Sequence, residues 1–460
     1  MRLEAKALND IKTAYFVGIG GIGMSAIARY FHGRGVAVYG YDKTATTLTR
    51  KLEQEGMTIH YTEDVSAIPE GVDLVVYTPA VPAEHAGLQY FRANGFPLKK
   101  RAEVLGIISR GMRTIAVAGT HGKTTTSTMV AYLLRSGGVD CTAFLGGIAG
   151  NFDSNYVLGQ SDWVVVEADE YDRSFLHLSP DLAVITSMDP DHLDIYGDPQ
   201  TMLETGFLAF ARRLKAGGRL LVQEKLQAHF TAFDRTATYG LNAGEYRSEN
   251  LRVEDGFFTF DYRSPKVEMT GLQLALPGAH NVENATAAIT FALELGVKEA
   301  DIRKALREFK GVKRRFDTIY RDEERVYIDD YAHHPSELRA AIGAARMLFP
   351  DRQITGVFQP HLYSRTQDFA DGFAESLDLL DEVILLDIYP AREKPIPGVD
   401  AELILGKMKN TNKQLTQKSE LLDVIKQKQP EVLLTLGAGD IDTLIEPIAN
   451  WLKSGGSANA

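Results

Sequence analysis

The sequence predicts an α/β protein of three domains, each built on a largely parallel sheet. Apolar strand-like segments alternate with helix-like segments along almost the whole chain. This alternation restarts twice, near residue 110 and again after residue 313. The chain has 460 residues, which is more than one hydrophobic core usually organises. The expected domains are therefore 1–110, 111–313 and 314–460.

The predicted elements follow the order expected for parallel strands joined by crossover helices. In the first section, strands are expected at 14–17, 36–41 and 74–77, and helices at 24–33 and 48–56. In the second, strands are expected at 114–118, 163–167, 182–187 and 219–222, a smaller mixed or antiparallel insertion at 252–276, and helices at 124–136 and 281–295. In the third, strands are expected at 325–329, 354–358, 382–387 and 432–436, with helices between them.

Charge and cysteine content narrow the class of protein. Lys and Arg total 50 against 61 Asp and Glu, so the field of the molecule repels nucleic acid and anionic membranes, and neither is an expected partner. Cys141 is the only cysteine, which excludes an intrachain disulfide. Residues 1–9 carry charges and no apolar run. We expect a cytoplasmic protein that meets anionic substrates with locally placed groups.

A glycine-rich turn follows the first expected strand and opens a helix. It reads GIGGIG at 18–23, and Asp42 ends the next expected strand. Glycines let the backbone approach a diphosphate at a helix N-terminus, and the acid can bind a ribose hydroxyl. A tight turn that only allows close helix packing gives the same pattern. The pattern does not distinguish NAD from a UDP-sugar.

A second turn of this kind lies at 118–125 and reads AGTHGKTT. Backbone amides of such a loop cradle phosphates, Lys123 can reach the terminal ones, and the Thr124 hydroxyl can coordinate Mg²⁺. The loop is shorter than the usual pattern, because Val117 stands where a glycine is expected. ATP binding is the interpretation that we favour over a simple helix-capping turn.

Acids and imidazoles recur where expected strands end. Glu167 begins the segment EADEYD, and His192 lies in DPDHLD after the next strand. Carboxylates are ordinary Mg²⁺ ligands and histidine is an unusual one. Each residue alone is compatible with a solvated loop position, but together with the phosphate loop they indicate a metal site.

Further candidates lie at the start of the helix expected at 281–295 and in the third section of the chain. His280 and Asn284 are four residues apart and share a helix face, so they can clamp a nucleoside or merely cap the helix. The third section contains RRF at 314–316, DDYAHHP at 329–335 and FQPHLYSR at 358–365. Arginine stabilises a transferring phosphoryl group, and a strand-end Arg or His can hold a carboxylate.

Together these motifs resemble those of the Mur ligase family. The resemblance covers nearly the whole chain, at 18–24, 119–125, 167–178, 191–194, 278–284, 314–316, 329–337, 358–366 and 437–441. It implies a Rossmann-like N-terminal domain that binds a UDP-sugar, a central P-loop ATPase and a Rossmann-like C-terminal domain that binds an amino acid. It also implies that ATP phosphorylates the lactoyl carboxylate of UDP-N-acetylmuramate and that the amine of L-alanine then attacks the acyl phosphate.

The resemblance assigns roles to individual positions, with ATP and Mg²⁺ as cofactors, small-molecule partners only, and a monomer or homodimer as the working form. The implied UDP-sugar residues are Gly18, Gly20, Gly21, Gly23, Met24, Asp42 and Thr78. The implied ATP residues are Gly119, Thr120, His121, Gly122, Lys123, Thr124, Thr125, His280, Asn284, Arg315 and Asp330. The implied catalytic residues are Lys123, Glu167, His192 and Arg315, the implied Mg²⁺ ligands are Thr124, Glu167 and His192, and the implied residues for the substrate carboxylates are His333, His361 and Arg365.

Two positions depart from the pattern of the family. Several members carry a modified lysine about fifteen residues beyond the position of His192, whereas this chain has no lysine between His192 and Lys215, so we expect no such modification. Leu362 stands where the alanine-adding members often have arginine.

Three rival functions remain. A ligase that adds a whole peptide to the same UDP-sugar shares the acidic strand end and the double histidine, but FQPH argues against it. An NAD-dependent oxidoreductase leaves the second glycine turn unexplained. A non-catalytic nucleotide-binding regulator has no need to keep Glu167, His192 and Arg315 together.

Overall fold

The computed structural model describes residues 5–190, 193–391 and 393–455, so the candidate ligand His192 lies outside the described residues. The described part contains three sheets, of five, ten and six strands, with helices between the strands. The α/β class with three sheet-based domains is confirmed. Most strand boundaries lie within one or two residues of the expected ones.

The first sheet is entirely parallel in its four strand pairings. Its strands are β1 (Thr13–Val17), β2 (Ala37–Tyr41), β3 (Thr58–His60), β4 (Leu74–Tyr77) and β5 (Leu98–Lys100), in the spatial order β3-β2-β1-β4-β5. Its helices are α1 (Ile22–His32), α2 (Thr47–Gln54), α3 (Ala86–Ala93) and α4 (Arg101–Gly111). The sequence did not indicate β3 and β5, because three residues are too few to show an alternating pattern.

The second sheet carries ten strands in the order β15-β14-β13-β12-β11-β10-β6-β9-β7-β8. They are β6 (Arg113–Ala118), β7 (Thr142–Ala149), β8 (Ser154–Val157), β9 (Trp163–Ala168), β10 (Leu182–Ile185), β11 (Arg219–Gln223), β12 (Thr236–Leu241), β13 (Tyr246–Glu254), β14 (Phe257–Arg263) and β15 (Glu268–Leu274). The helices are α5 (Lys123–Ser136), α6 (Leu193–Tyr196), α7 (Pro199–Met202), α8 (Leu208–Ala211), α9 (Ala279–Glu294) and α10 (Glu299–Glu308). The region expected to be a small insertion therefore supplies strands that continue the central sheet.

The third sheet is parallel apart from its first pairing, β16 with β17. Its strands are β16 (Asp317–Arg321), β17 (Val326–Asp330), β18 (Ile354–Phe358), β19 (Glu382–Leu385), β20 (Lys413–Leu415) and β21 (Val432–Leu436), in the order β16-β17-β21-β18-β19-β20. Its helices are α11 (Pro335–Leu348), α12 (Tyr363–Leu377), α13 (Ala401–Leu405), α14 (Leu421–Lys428) and α15 (Ile445–Lys453).

The described chain divides into two compact units. The first comprises the described residues up to Asn250 with Asp261–Leu272 and Glu283–Lys310. The second comprises Leu251–Phe260, Gln273–Val282 and the described residues from Gly311 onward. The first two sheets thus share a unit, and one buried apolar cluster includes residues of both.

A buried polar network also joins the first two sheets inside the first unit. The Asn155 amide in β8 donates to the Ser25 hydroxyl of α1 at 2.9 Å, and its carbonyl accepts from Arg29. Arg29 in turn forms a bidentate pair with Glu55, at 2.7 and 2.8 Å. Because buried polar groups are costly to leave unpaired, this network fixes α1 against the central sheet.

Two further features concern the cysteine and the helices. Cys141 is fully buried, and burial raises the pKa of its thiol to about 12. Among the described residues, no helix combines the length and apolar character needed to cross a membrane.

Candidate active site

The glycine turn after β1 is held by the end of β2. The Gly18 amide donates to the Tyr41 carbonyl at 2.8 Å, and the Gly20 amide donates to the Asp42 carboxylate at 2.7 Å. Gly18 has φ 85°, which favours glycine, and a Cβ there would lie 2.9 Å from the methyl of Thr78. Asp42 and Thr78 therefore lie against the turn, and Asp42 supports the turn itself.

The rest of the turn faces a residue that the sequence motifs did not identify. A Cβ at Gly23 would lie 2.8 Å from the guanidinium of Arg101, the first residue of α4. A Cβ at Gly21 would make only ordinary van der Waals contacts. Met24 is 2% exposed and belongs to the hydrophobic core, so its side chain is not available to a ligand. A basic residue at a helix start forms no recognisable pattern, which is why Arg101 was missed.

The phosphate loop leaves the central sheet beside Glu167. Strands β6 and β9 pair in parallel with Val117 opposite Glu167. Gly122 has φ 78° and precedes α5, whose first residue is Lys123. The ammonium of Lys123 donates to the Gly119 carbonyl at 2.7 Å. The loop, the lysine and Glu167 thus lie together at the carboxyl edge of the sheet, where such sheets bind ligands.

The segment that follows β10 frames the loop from the other side. The Thr120 hydroxyl lies 2.9 Å from the Ser187 hydroxyl, and the His121 amide donates to that hydroxyl at 2.7 Å. The His121 imidazole lies 3.2 Å from the Asp189 carboxylate. A Cβ at Gly119 would overlap the Thr186 hydroxyl. Thr120 and His121 therefore hold the loop in shape. Their partner Asp189 belongs to the segment DPDHLD, whereas Ser187 belongs to no motif of the sequence.

The three acids of segment 167–170 have different surroundings. Glu167 lies against Gly146, where a Cβ would meet its carboxylate at 2.2 Å. Asp169 lies 3.8 Å from the Arg101 guanidinium, and Glu170 lies 2.7 Å from the Lys123 ammonium. Burial raises the pKa of Asp169, assisted by Glu170. Burial opposes the charged form of Lys123, but Glu170, Asp169 and Glu167 outweigh it and raise the pKa of Lys123.

A cavity of about 240 Å³ lies between the glycine-turn helix and this acidic segment, within the first unit. It is lined by Ile22, Gly23, Ala26, Ile27, Arg101, Leu105, Phe144, Leu145, Gly146, Glu167 and Asp169. One cationic side chain, two carboxylates and an apolar wall suit an anionic substrate with a metal ion.

The donor set fits Mg²⁺ in kind. Thr124 supplies a hydroxyl at the start of α5, and Glu167 supplies carboxylate oxygens, both hard ligands. No cluster of three or more His, Cys, Asp or Glu suited to a metal occurs in the part of the chain that the structure describes, which does not include His192.

Asn284 and His280 lie on α9 as expected but have different neighbours. A Cβ at Gly122 would lie 2.7 Å from the Asn284 carbonyl oxygen, so this amide borders the phosphate loop. Burial lowers the pKa of His280 to about 4, with Glu337 opposing the shift. His280 belongs to the second unit, as do Glu337 and Arg315, whose charges act on it.

Arg315 and Asp330 lie near each other in the second unit. The Asp330 carboxylate accepts hydrogen bonds from the Phe316 and Ala332 amides, both at 2.7 Å. Burial raises the pKa of Asp330 to about 7, although Arg315 opposes this shift. The guanidinium of Arg315 lies 3.6 Å from the Glu337 carboxylate and 5.1 Å from the Tyr331 ring centroid.

The three residues predicted to hold substrate carboxylates converge in the same unit. The ring centroids of His333 and His361 lie 6.3 Å apart. Burial lowers the pKa of His333 to about 4, and the positive charge of Arg365 contributes to this shift. His334 has another task, because its imidazole accepts from the Ser336 amide at the start of α11.

The turn that carries His361 is strained and clamped. Leu362 has φ 70° and ψ 139°, a combination unfavourable for any residue but glycine. Its amide donates to the Tyr389 carbonyl at 3.0 Å, and the His361 and Tyr389 rings stack at 5.8 Å. The departure at Leu362 thus lies at a position that the surrounding chain holds in an unusual conformation.

Family models match three consecutive parts of the chain. The Mur ligase family catalytic domain matches residues 13–113, the Mur ligase middle domain matches 117–292, and the Mur ligase glutamate ligase domain matches 314–439. Together these matches cover most of the sequence and agree with the order of the three sheets.

Individual relatives match over nearly their whole length. The UDP-N-acetylmuramate--L-alanine ligase of Cytophaga hutchinsonii is 48% identical over 455 residues, covering 96% of this chain and 97% of the relative. That of Parabacteroides distasonis is 49% identical, covering 97% of this chain and 98% of the relative. The crystal structure of UDP-N-acetylmuramate-alanine ligase from Thermotoga maritima superposes with a TM-score of 0.83 at 31% identity, covering 96% of this chain and 99% of that one. A murein peptide ligase from Psychrobacter arcticus shares the fold, with a TM-score of 0.69 at 22% identity and coverage of 98% and 99%. The chain belongs to the Mur ligase family.

Proposed function

We propose that the chain catalyses the ATP-dependent ligation of L-alanine to the lactoyl carboxylate of UDP-N-acetylmuramate, the first amino acid addition in peptidoglycan precursor synthesis. The observation that carries the proposal is the cavity in which the glycine-turn helix and Arg101 face Glu167 and Asp169. A substrate bound at the glycine turn extends there toward the acids beside the phosphate loop. The curated relatives nearly 50% identical to this chain are alanine ligases, which supports L-alanine as the acceptor.

The carboxylate must first be activated, because its oxygen is too poor a leaving group for an amine to displace. Transfer of the γ-phosphoryl group of ATP creates an acyl phosphate with a good leaving group, and such transfer requires positioning and charge neutralisation. Lys123 and Arg315 supply positive charge for this step. Thr124, Glu167 and His192 would hold Mg²⁺, which when bound neutralises phosphate charge.

The remaining roles stay as the sequence predicted them. We assign the phosphate-loop residues 119–125, His280, Asn284 and Asp330 to ATP, and the glycine turn with Asp42 and Thr78 to the UDP-sugar. We assign Arg365, which is 9% exposed, together with His333 and His361 to the carboxylates of the substrates. We keep the domain boundaries at 1–110, 111–313 and 314–460, a cytoplasmic location, and a monomer or homodimer as the working form.

The deciding experiment measures phosphate release from ATP in the presence of Mg²⁺ and UDP-N-acetylmuramate. Parallel reactions contain L-alanine, a tripeptide or no acceptor, and mass spectrometry identifies the product. We expect release with L-alanine and a product heavier by one alanyl residue. Release only with the tripeptide would assign the chain to the peptide-adding ligases, and release with neither would refute a ligase function with these substrates.

A further inference from the structure

Glu170 contacts the phosphate-loop lysine in a way that no motif of the sequence analysis anticipated. Its side chain is 1% exposed, and its carboxylate lies 2.7 Å from the Lys123 ammonium. The neighbouring acids have other surroundings, because Glu167 lies against Gly146 and Asp169 faces Arg101. Of the three acids in this segment, Glu170 is the one that forms an ion pair with Lys123.

The ammonium of Lys123 has three hydrogens to donate. It donates to the Gly119 carbonyl at 2.7 Å and to the Thr120 carbonyl at 3.3 Å, and it forms an ion pair with the Glu170 carboxylate at 2.7 Å. A phosphate oxygen that binds this ammonium must therefore replace or share one of them. The two carbonyls are part of the loop, whereas the carboxylate carries a full negative charge that repels the incoming phosphate.

The backbone around Glu170 is fixed by several contacts. Its carbonyl accepts from the Tyr196 hydroxyl at 2.7 Å and from the Arg173 amide at 3.0 Å. Asp172 and Arg173 both have positive φ, 52° and 54°, a strained pair that persists only where the surroundings enforce it. The buried ring of Phe175 stacks on a second phenylalanine ring at 5.0 Å, which anchors the segment. Glu170 is thus held beside Lys123 by the fold itself.

We propose that Glu170 is a positioning residue, a built-in counterion that orients Lys123 over the phosphate loop and that the terminal phosphates of the nucleotide displace. The inference rests on the proposed function, in which Lys123 binds the β and γ phosphates of ATP. The contribution of Lys123 to nucleotide affinity is then the difference in free energy between its contact with the phosphates and its contact with the carboxylate. Glu170 weakens the binding of ADP and ATP and leaves that of AMP, which has no β phosphate, unchanged.

Calorimetric titration of the full chain with ADP, ATP and AMP at constant Mg²⁺ tests this proposal. We expect Glu170→Gln to bind ADP and ATP about threefold to tenfold more tightly and to bind AMP as the wild type does. Without nucleotide, the variant should unfold at a lower temperature, because the buried ammonium loses its counterion. Saturating ADP should narrow this difference.

Asp181→Asn is the matched control. Asp181 pairs with Lys215 at 2.9 Å and accepts from the Thr114 amide at the opposite, amino end of the central strands. This variant also loses a lysine counterion, so its unfolding temperature should fall while its affinity for all three nucleotides stays unchanged. Glu170→Asp, which withdraws the carboxylate by one methylene, should shift ADP affinity in the same direction by a smaller factor, and it replaces Glu170→Gln if that variant does not fold.

The outcomes separate this inference from the proposed function. If the wild type binds none of the three nucleotides, the proposed function fails. If the wild type binds ADP and ATP and Glu170→Gln binds them equally well or more weakly, only the role of Glu170 is overturned. Weaker binding would mean that the carboxylate helps to hold the nucleotide.

Discussion

Gly146 determines where the carboxylate of Glu167 can lie. A methyl group at this position would meet the two carboxylate oxygens at 2.2 and 2.5 Å, and these atoms end a flexible side chain. Gly146→Ala should therefore move the carboxylate and leave the fold intact. We expect kcat/KM of the ligase reaction to fall roughly 10- to 100-fold, with a higher Mg²⁺ requirement, because catalysis is sensitive to displacements of about 1 Å. Unchanged Mg²⁺ dependence with full activity would show that Glu167 has no part in metal binding.

His333 links the stability of the second unit to pH. Burial lowers its pKa from 6.5 to about 4, so folding favours the neutral imidazole. Its contribution to stability is complete above pH 6.5 and is lost as the pH falls through 4. Between these pH values, chemical unfolding should show that the free energy of unfolding of His333→Gln depends less on pH than that of the wild type. The slopes should differ by up to about 1.4 kcal/mol per pH unit.

The control for this comparison is His229→Gln. His229 is exposed and lies in the first unit, so its replacement should leave the slope of the second unit unchanged. An identical slope in wild type and His333→Gln would show that the imidazole titrates normally in the folded protein.

At the scale of elements, α11 contains a glycine that the fold does not need. Gly343 lies inside this helix without a positive φ, and a Cβ there would meet no atom within 4 Å. Gly343→Ala should raise the free energy of unfolding by roughly 0.5–1 kcal/mol, since alanine loses less backbone entropy on folding. Urea unfolding followed by circular dichroism measures this change, and a decrease would reveal a contact that forms only in another conformation of the helix.

Apolar periodicity predicted the buried central strands well, because their burial on both faces leaves nearly continuous apolar runs. Strands β4, β18 and β21 begin and end at the expected residues. The edge strands β3, β5 and β20 have three residues each and were missed. Their positions depend on pairing with a neighbouring strand, which no local pattern encodes.

The site could be predicted only where its residues belong to motifs. The glycine turn, Lys123 and Glu167 stand at the ends of recognisable strands, and the structure brings the last two together. Arg101 and Ser187 meet this site through tertiary contacts from α4 and from the segment after β10. Nothing in their local sequence distinguishes them from surface residues.

At the scale of the whole molecule, each of the two compact units contains buried apolar clusters. One apolar cluster includes residues of the first two sheets, and two others lie in the third. Three predicted domains and two compact units are compatible, because the Asn155 network and the shared core join the first two sheets. Such long-range contacts between a helix and a distant strand are invisible in sequence.

We therefore expect two transitions in calorimetric unfolding, one for each unit. ADP should raise the temperature of the first unit's transition more than that of the second, since the phosphate loop with Lys123, and also Asn284, belong to the first unit. Bound ADP should stabilise the folded state by about 2.7 kcal/mol when its concentration is 100 times its dissociation constant. A single transition that ADP shifts as a whole would show that the two units unfold together.

The buried thiol of Cys141 makes the chain convenient for spectroscopy. It is the only cysteine, it is inaccessible, and its raised pKa keeps it from forming a reactive thiolate at neutral pH. A cysteine introduced at any exposed position would then be the sole site for a maleimide dye or spin label. Pairs of such labels, one in each unit, would report the distance between the units during turnover without first removing a native residue.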